Sequence, residues 1–229
     1  MNRGPKYDLR PTTLAVVRAL FELHHGYKSV SSSATYCFAV FEDDVPIAAY
    51  AWQPPPPGAA KAVCPEAPHG VLSLSRMVAV PKKQRRLKHI SKPLRRQMNH
   101  LIDRTRWPVL ITYSDEGQIN DRGEPHNGFV YECSGWLPTI KRKTPIKESV
   151  EGARRSSYSA GKHGTRSLVT CGSTYIQRWE SRVCAPGESL AWMTRHGWRR
   201  VILTGRTWKS GRQAHTYVRD TMAQQLSYP

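Results

Sequence analysis

Several side chains in this sequence stand where they can serve either chemistry or a plain structural role. Arg76 interrupts the apolar run Leu74 to Val80, where an unpaired guanidinium is costly, so it needs a carboxylate partner in an ion pair or a ligand's anion beside it. Asp115 closes the run Ile111-Thr112-Tyr113-Ser114 and can either cap the next turn or act as a base or orienting acceptor. Tyr131 is a phenol, neutral at working pH, that can donate a proton, orient a nucleophile or sit as a core ring with its hydroxyl satisfied. His24, His25 and Tyr27 place imidazoles and a phenol close together. They can contact a base or, with Asp115, hold a metal such as iron, although adjacent histidines at a helix end are also common surface residues.

The charge narrows the choice of partner. Lys and Arg number 35 against 17 Asp and Glu, a formal +18, which points to a polyanion. Lys82, Lys83, Arg85, Arg86, Lys88, Lys92, Arg95 and Arg96 crowd one stretch that runs into a helix start, where phosphate is favoured by the dipole and free N–H groups. A coenzyme A diphosphate and a DNA backbone both meet that description. Farther on, Lys141, Arg142, Lys143, Arg199, Arg200, Arg206, Lys209 and Arg212 alternate with Trp192, Trp198, Trp208 and Tyr217, cations among aromatic platforms that suit a strand with an extruded base. The five cysteines show no Cys-x-x-Cys pair and read as free thiols of a reducing compartment. The apolar stretches are of strand length and no apolar signal follows Met1-Asn2-Arg3, so the expectation is a cytoplasmic chain without membrane or obligate protein partner.

The elements that must position these groups follow from periodicity. Leu14, Val17, Leu20 and Phe21 recur at helical spacing after Thr12 or Thr13 and stop near Gly26. Thr35 to Glu42 and Pro46 to Trp52, separated by Asp43-Asp44, form a hairpin. Pro54 to Pro57 forbid regular structure. A strand over Gly70 to Val80 enters the basic loop; a helix capped by Ser91 with Pro93 in its first turn follows, and then a strand over Trp107 to Ser114. This strand, helix, strand order leaves functional groups at the strands' carboxyl ends. A loop marked by Gly123 and Pro125 leads to a short turn over Gly128 to Ser134. Residues 154 to 164 read as a mobile arm, and short strands return at 167 to 170, 200 to 203 and 215 to 218.

That order, ending in Tyr131-Glu132-Cys133-Ser134-Gly135-Trp136, resembles the GCN5-related N-acetyltransferase (GNAT) core. His24-His25-Gly26-Tyr27, Leu74-Ser75-Arg76, Ile111 to Asp115 and His126-Asn127-Gly128-Phe129-Val130-Tyr131 are similar, in order and spacing, to the phage Mom DNA-adenine modification proteins over about residues 12 to 140. The resemblance implies an α+β fold: a mixed, mostly antiparallel sheet flanked by helices, with residues 1–140 as catalytic core and 141–229 as a basic extension that contacts DNA. It implies conversion of adenine N6 in double-stranded DNA, with the base accessible or flipped, to a carbamoylmethyl adduct that protects phage DNA from host restriction in the host cytoplasm. Asp115, Tyr131, Arg76, His25 and Tyr27 would be catalytic, Tyr131 as proton donor to a departing thiolate. Val78, Val80, Arg85, Arg86, Ser91 and Lys92 would hold acetyl-CoA or a related acyl donor. The sequence departs from the usual pattern in lacking the glycines of the acetyltransferase diphosphate loop between Val80 and Ser91. Two other readings stand beside this one: a conventional N-acetyltransferase of a protein or small amine, and a catalytically inactive DNA-binding protein.

Overall fold

The computed structural model describes residues 7–25, 32–119, 123–149, 154–155, 168–207 and 213–219. The strands are β1 (Asp8–Thr12), β2 (Tyr36–Glu42), β3 (Val45–Gln53), β4 (Val71–Ala79), β5 (Val109–Asp115), β6 (Leu137–Ser149), β7 (Arg154–Arg155), β8 (Leu168–Arg182), β9 (Trp198–Thr207) and β10 (Gln213–Arg219). The helices are α1 (Leu14–His24), α2 (Pro57–Val63), α3 (Ser91–Arg104), α4 (Phe129–Cys133) and α5 (Ser189–Arg195). An eight-stranded sheet runs β1-β2-β3-β4-β5-β8-β6-β7, and β9 pairs with β10 separately. The β1/β2, β2/β3, β6/β8 and β6/β7 pairs are antiparallel. The fold is α+β, a mixed and mostly antiparallel sheet with helices, as the sequence predicts.

The chain forms two compact units. The first comprises residues 1–53, 74–96 and 111–181. In it, α1 buries Val17, Leu20 and Phe21 against Cys37, Ala39, Ala49, Ala51 and Val78, the small residues of the strands letting the helix approach closely. Asp43 and Asp44 both take positive φ, 48° and 61°, the conformation a two-residue hairpin turn with the sheet's own twist demands and that Asp tolerates. The second unit comprises residues 54–73, 97–110 and 182–229. There α5 packs on the single turn Pro68–Gly70 and on β9, with Met193 fully buried. The Gly187 amide and the Cys64 thiol both donate to Oε1 of Glu66 at 2.9 Å.

Three expectations change. The boundary at residue 140 runs through β6, and residues up to 182 complete the main sheet instead of forming an appendage. A helix does start among the prolines, because Pro57 falls at the first helical position, where its missing N–H has no partner to lose. The short strand at 167 to 170 is the beginning of a strand of 15 residues. Of the arm at 154 to 164, the structure describes Arg154 and Arg155, which pair with Glu148 and Lys147 as β7; the remainder lies outside the described residues. Among the described residues, no helix is long and apolar enough to cross a membrane.

Candidate active site

β5 delivers Asp115 at its carboxyl end. Oδ1 of that carboxylate accepts hydrogen bonds from Thr174 Oγ1 on β8 at 2.7 Å and from the Gly117 amide at 2.9 Å, so the group is anchored. The chain then folds back on itself. The Gln118 amide donates to the Asp115 carbonyl at 2.9 Å, Ile119 bridges to Pro125, and the His126 amide donates to the Gln118 carbonyl at 2.8 Å. Asn127 Oδ1 then accepts from the Phe129 amide at 3.1 Å as α4 begins. This closed loop returns His126 to the strand end that carries Asp115.

Tyr131 on α4 is 5% exposed. Its hydroxyl bonds to the Thr112 side chain, and Thr112 Oγ1 in turn donates to the Leu74 carbonyl at 3.1 Å. Because the threonine proton is committed to Leu74, the phenol is the donor to Thr112. Burial pushes the phenol above its ordinary value, so it stays neutral. Its ring is walled by Trp136 at 6.0 Å, Trp179 at 5.9 Å and the edge-on ring of His126 at 5.8 Å. Trp52 stacks on Trp136, and the Trp179 indole donates to Ser114 Oγ at 2.9 Å. Gly128 lies directly against Trp179. Its φ is +81°, and a Cβ there would sit 2.4 Å from the indole, so two independent constraints require glycine.

Arg76 is half-buried on β4, where Nη1 donates to the Ser75 carbonyl at 2.7 Å. Its charge reaches His25. Burial, then Arg76, then His126 hold the His25 imidazole down at about 4. His126 is likewise pushed down by burial, with Asp115 and its own backbone opposing the shift. Both rings are thus neutral near pH 7. His25, Arg76, Asp115, His126 and Tyr131 form one electrostatically linked group, all within the first compact unit. Sequence reasoning gave roles to four of these and left His126 as a motif residue without one. The available signal was its place just after the Gly123 and Pro125 turn, where a closing loop brings it back to Asp115.

The other expected residues separate. Tyr27 lies outside the described residues. The metal set His24, His25 and Asp115 is corrected: His24 is exposed while His25 is half-buried, and among the described residues no three of His, Cys, Asp and Glu are grouped to hold an ion. In the basic loop, Arg85 turns inward, donating to the Val80 carbonyl at 3.0 Å and to that of Leu87. Arg86 pairs with Asp43 at 2.5 Å and with Glu42 at 3.9 Å. The buried carboxylate of Glu42 receives the amides of both Arg86, at 2.8 Å, and Leu87. The chain's own acid therefore occupies the amides that a diphosphate loop would offer, and Arg85 and Arg86 have protein partners. Val78 belongs to the core beneath α1, and Val80 packs against that core while its amide donates to the Ile47 carbonyl at 2.9 Å.

Ser91 and Lys92 at the start of α3 are different. That helix has no acidic residue in its first turn, and Lys92, Arg95 and Arg96 are exposed there, cations placed against the positive end of the dipole. An anion relieves this arrangement, so Ser91, Lys92 and Arg95 could hold an anionic group such as a phosphate. On β6, Lys141, Arg142 and Lys143 are exposed; Lys141 meets Glu116 at 2.5 Å and lies 5.0 Å over the Tyr175 ring. Arg199 is exposed on β9. Arg200 and Arg206 are also on β9, but their side chains, and all of Lys209 and Arg212, lie outside the described residues.

No family model and no curated protein sequence matches this chain. Solved structures do. A GNAT family acetyltransferase from Elizabethkingia anophelis with acetyl-CoA bound is 11% identical over 76% of this chain and 98% of its own, with a TM-score of 0.45. The spermidine/spermine N-acetyltransferase SpeG of Vibrio cholerae is 9% identical over 81% and 98%, with a TM-score of 0.45. The polyamine N-acetyltransferase of Drosophila melanogaster is 8% identical over 78% and 100%, with a TM-score of 0.46. These are likenesses of fold. The architecture itself rests on this chain's own order of elements and strands.

Proposed function

We propose that this chain is a GNAT-like transferase that modifies an amine nitrogen, and that the amine is N6 of adenine in DNA. The observation that carries the reading is the electrostatic linkage of His25, Arg76, Asp115 and His126, with Tyr131 packed on His126: neutral imidazoles, an anchored carboxylate, a cation and a buried neutral phenol. Such a group can accept a proton from a weakly nucleophilic amine and stabilise the charges that appear as it reacts. An acyl-CoA held through Ser91, Lys92 and Arg95 would supply a thioester-activated carbon.

Charge argues for the acceptor. SpeG and the Drosophila enzyme are named for polyamines, which are polycations, and a chain of +18 repels them. DNA is attracted. Exposed Lys141, Arg142 and Lys143, with Tyr175 at 46% and Tyr113 at 42% exposure, supply cations and rings suited to nucleic acid. A stacked, paired amine is poorly reachable, so the adenine is flipped or locally opened.

The carbamoylmethyl product is the one implied by the resemblance to the Mom proteins. Plain acetyl transfer leaves an acetyl amide on N6, whereas carbamoylmethyl carries a methylene on N6 and a terminal carboxamide, so that product requires another nitrogen source, a different donor or a metal-assisted rearrangement. The test is to express the chain in bacteria, digest cellular DNA to nucleosides and weigh the deoxyadenosine. A carbamoylmethyl increment establishes both substrate and product, and an acetyl increment establishes acyl transfer to DNA. Unmodified DNA from abundant folded protein overturns the DNA reading in favour of a conventional acetyltransferase or an inactive DNA-binding protein.

A further inference from the structure

We infer that His126 is the residue that takes the proton from the attacking amine, a role that rests on the amine-transfer reading above. The bond from its amide to the Gln118 carbonyl and the neighbouring Ile119–Pro125 bridge hold its backbone, and its ring stands edge-on to Tyr131 at 5.8 Å. One ring nitrogen bonds back to His126's own backbone, so a neutral ring presents its lone pair on the other nitrogen. Two imidazoles compete for this role, and their neighbours separate them. His25 stands near Arg76, whose charge opposes a second cation. His126 stands near Asp115, whose charge stabilises the imidazolium once the proton has moved. Asp115, its Oδ1 already holding Thr174 and Gly117, is the electrostatic partner. Tyr131 is held as a neutral phenol by burial, with its proton directed to Thr112, and a neutral phenol is too weak a base for this step.

In this step the amine N–H bond breaks and an imidazole N–H bond forms. The electron pair stays on the amine nitrogen, which uses it to bond the thioester carbonyl carbon; the C–S bond then breaks and the CoA sulfur leaves with that bond's electron pair as a thiolate, protonated by water. The imidazolium returns its proton to water before the next turnover.

The experiment uses the purified full chain with acetyl-CoA and two acceptors, an adenine-containing DNA oligonucleotide and a lysine peptide, with product read by mass. His126→Ala is compared with wild type, with and without added imidazole, and oligonucleotide affinity is measured alongside. The expected result is a rate loss of about 10²- to 10⁴-fold, unchanged affinity and partial recovery with imidazole. A variant at the wild-type rate overturns the inference, as does a loss that imidazole leaves untouched in a protein of wild-type stability. Wild-type turnover of the peptide alone sinks the DNA reading while His126 is still judged on the peptide. A wild type inactive on both acceptors that also leaves the deoxyadenosine of expressing cells unmodified overturns both.

Discussion

Replacing Gly128 by alanine tests the packing on which this site depends. Gly128 has φ +81°, and a Cβ added there would lie 2.4, 2.6 and 2.7 Å from three atoms of the Trp179 indole. The left-handed conformation costs an L-residue about 1–2 kcal/mol. Forcing a methyl group into a filled space adds about 1–3 kcal/mol, because the indole is buried, wedged against Tyr131 and tied to Ser114. Gly128→Ala should therefore lose about 2–5 kcal/mol in urea unfolding. Gly123→Ala is the control. Its φ is +78° with nothing within 4 Å of the added carbon, so only the conformational part, about 1–2 kcal/mol, remains. Combining Gly128→Ala with Trp179→Leu should lose less than the sum of the two single changes, since both act on one contact. Equal losses at positions 123 and 128, or strict additivity in the double variant, would refute the close-packing argument.

Other perturbations probe separate features. His25 protonates near 6.5 when unfolded but only at about 4 in the fold, so between those values the unfolded chain binds more protons. Stability should be complete above about pH 6.5 and decline as pH falls toward 4, by up to about 3 kcal/mol, and His25→Gln should flatten that slope in pH-dependent denaturation. Glu42→Ala strands the amides of Arg86 and Leu87 and should lose about 1–3 kcal/mol, with faster proteolysis between residues 80 and 90. Changing Lys141, Arg142 and Lys143 together to alanine should lower the log–log salt slope of duplex binding by up to about 3; an unchanged slope would exclude that strand from the footprint. Asp115→Asn should abolish modification while leaving DNA affinity intact, as nucleoside mass and filter binding would read.

What was legible in the sequence depended on how strongly one face was buried. The α1 helix and the β2/β3 hairpin could be read because Val17, Leu20 and Phe21 repeat at helical spacing and Asp43-Asp44 marks a turn. Asp115 and Tyr131 could be placed because apolar runs on β5 and α4 frame them. β6 could not. Pro138, Pro145 and its run of lysines and arginine carry no alternating apolar pattern, and hydrogen bonding to β8 along its length, not a buried face, makes it a strand. The basic loop misled in a different way. Its charges suggest a phosphate, but Glu42 and Asp43, more than forty residues earlier, are what Arg86 meets. His126 stood in a motif of the resemblance but received no role for the same reason, because the backbone pairing of Gln118 and Ile119 with His126 and Pro125 is what brings it toward Asp115.

The internal carboxylate of Glu42 has a thermodynamic corollary. Ordering backbone on ligand binding costs about 1–2 kcal/mol per residue, and phosphate loops that wait for their anion spend affinity on it. Here the segment from Val80 to Ile90 already has its counter-charge from β2. A donor arriving at Ser91 and Lys92 meets a finished surface, so its association should show little ordering entropy, and amide hydrogen exchange at Arg86 and Leu87 should be equally slow with and without it.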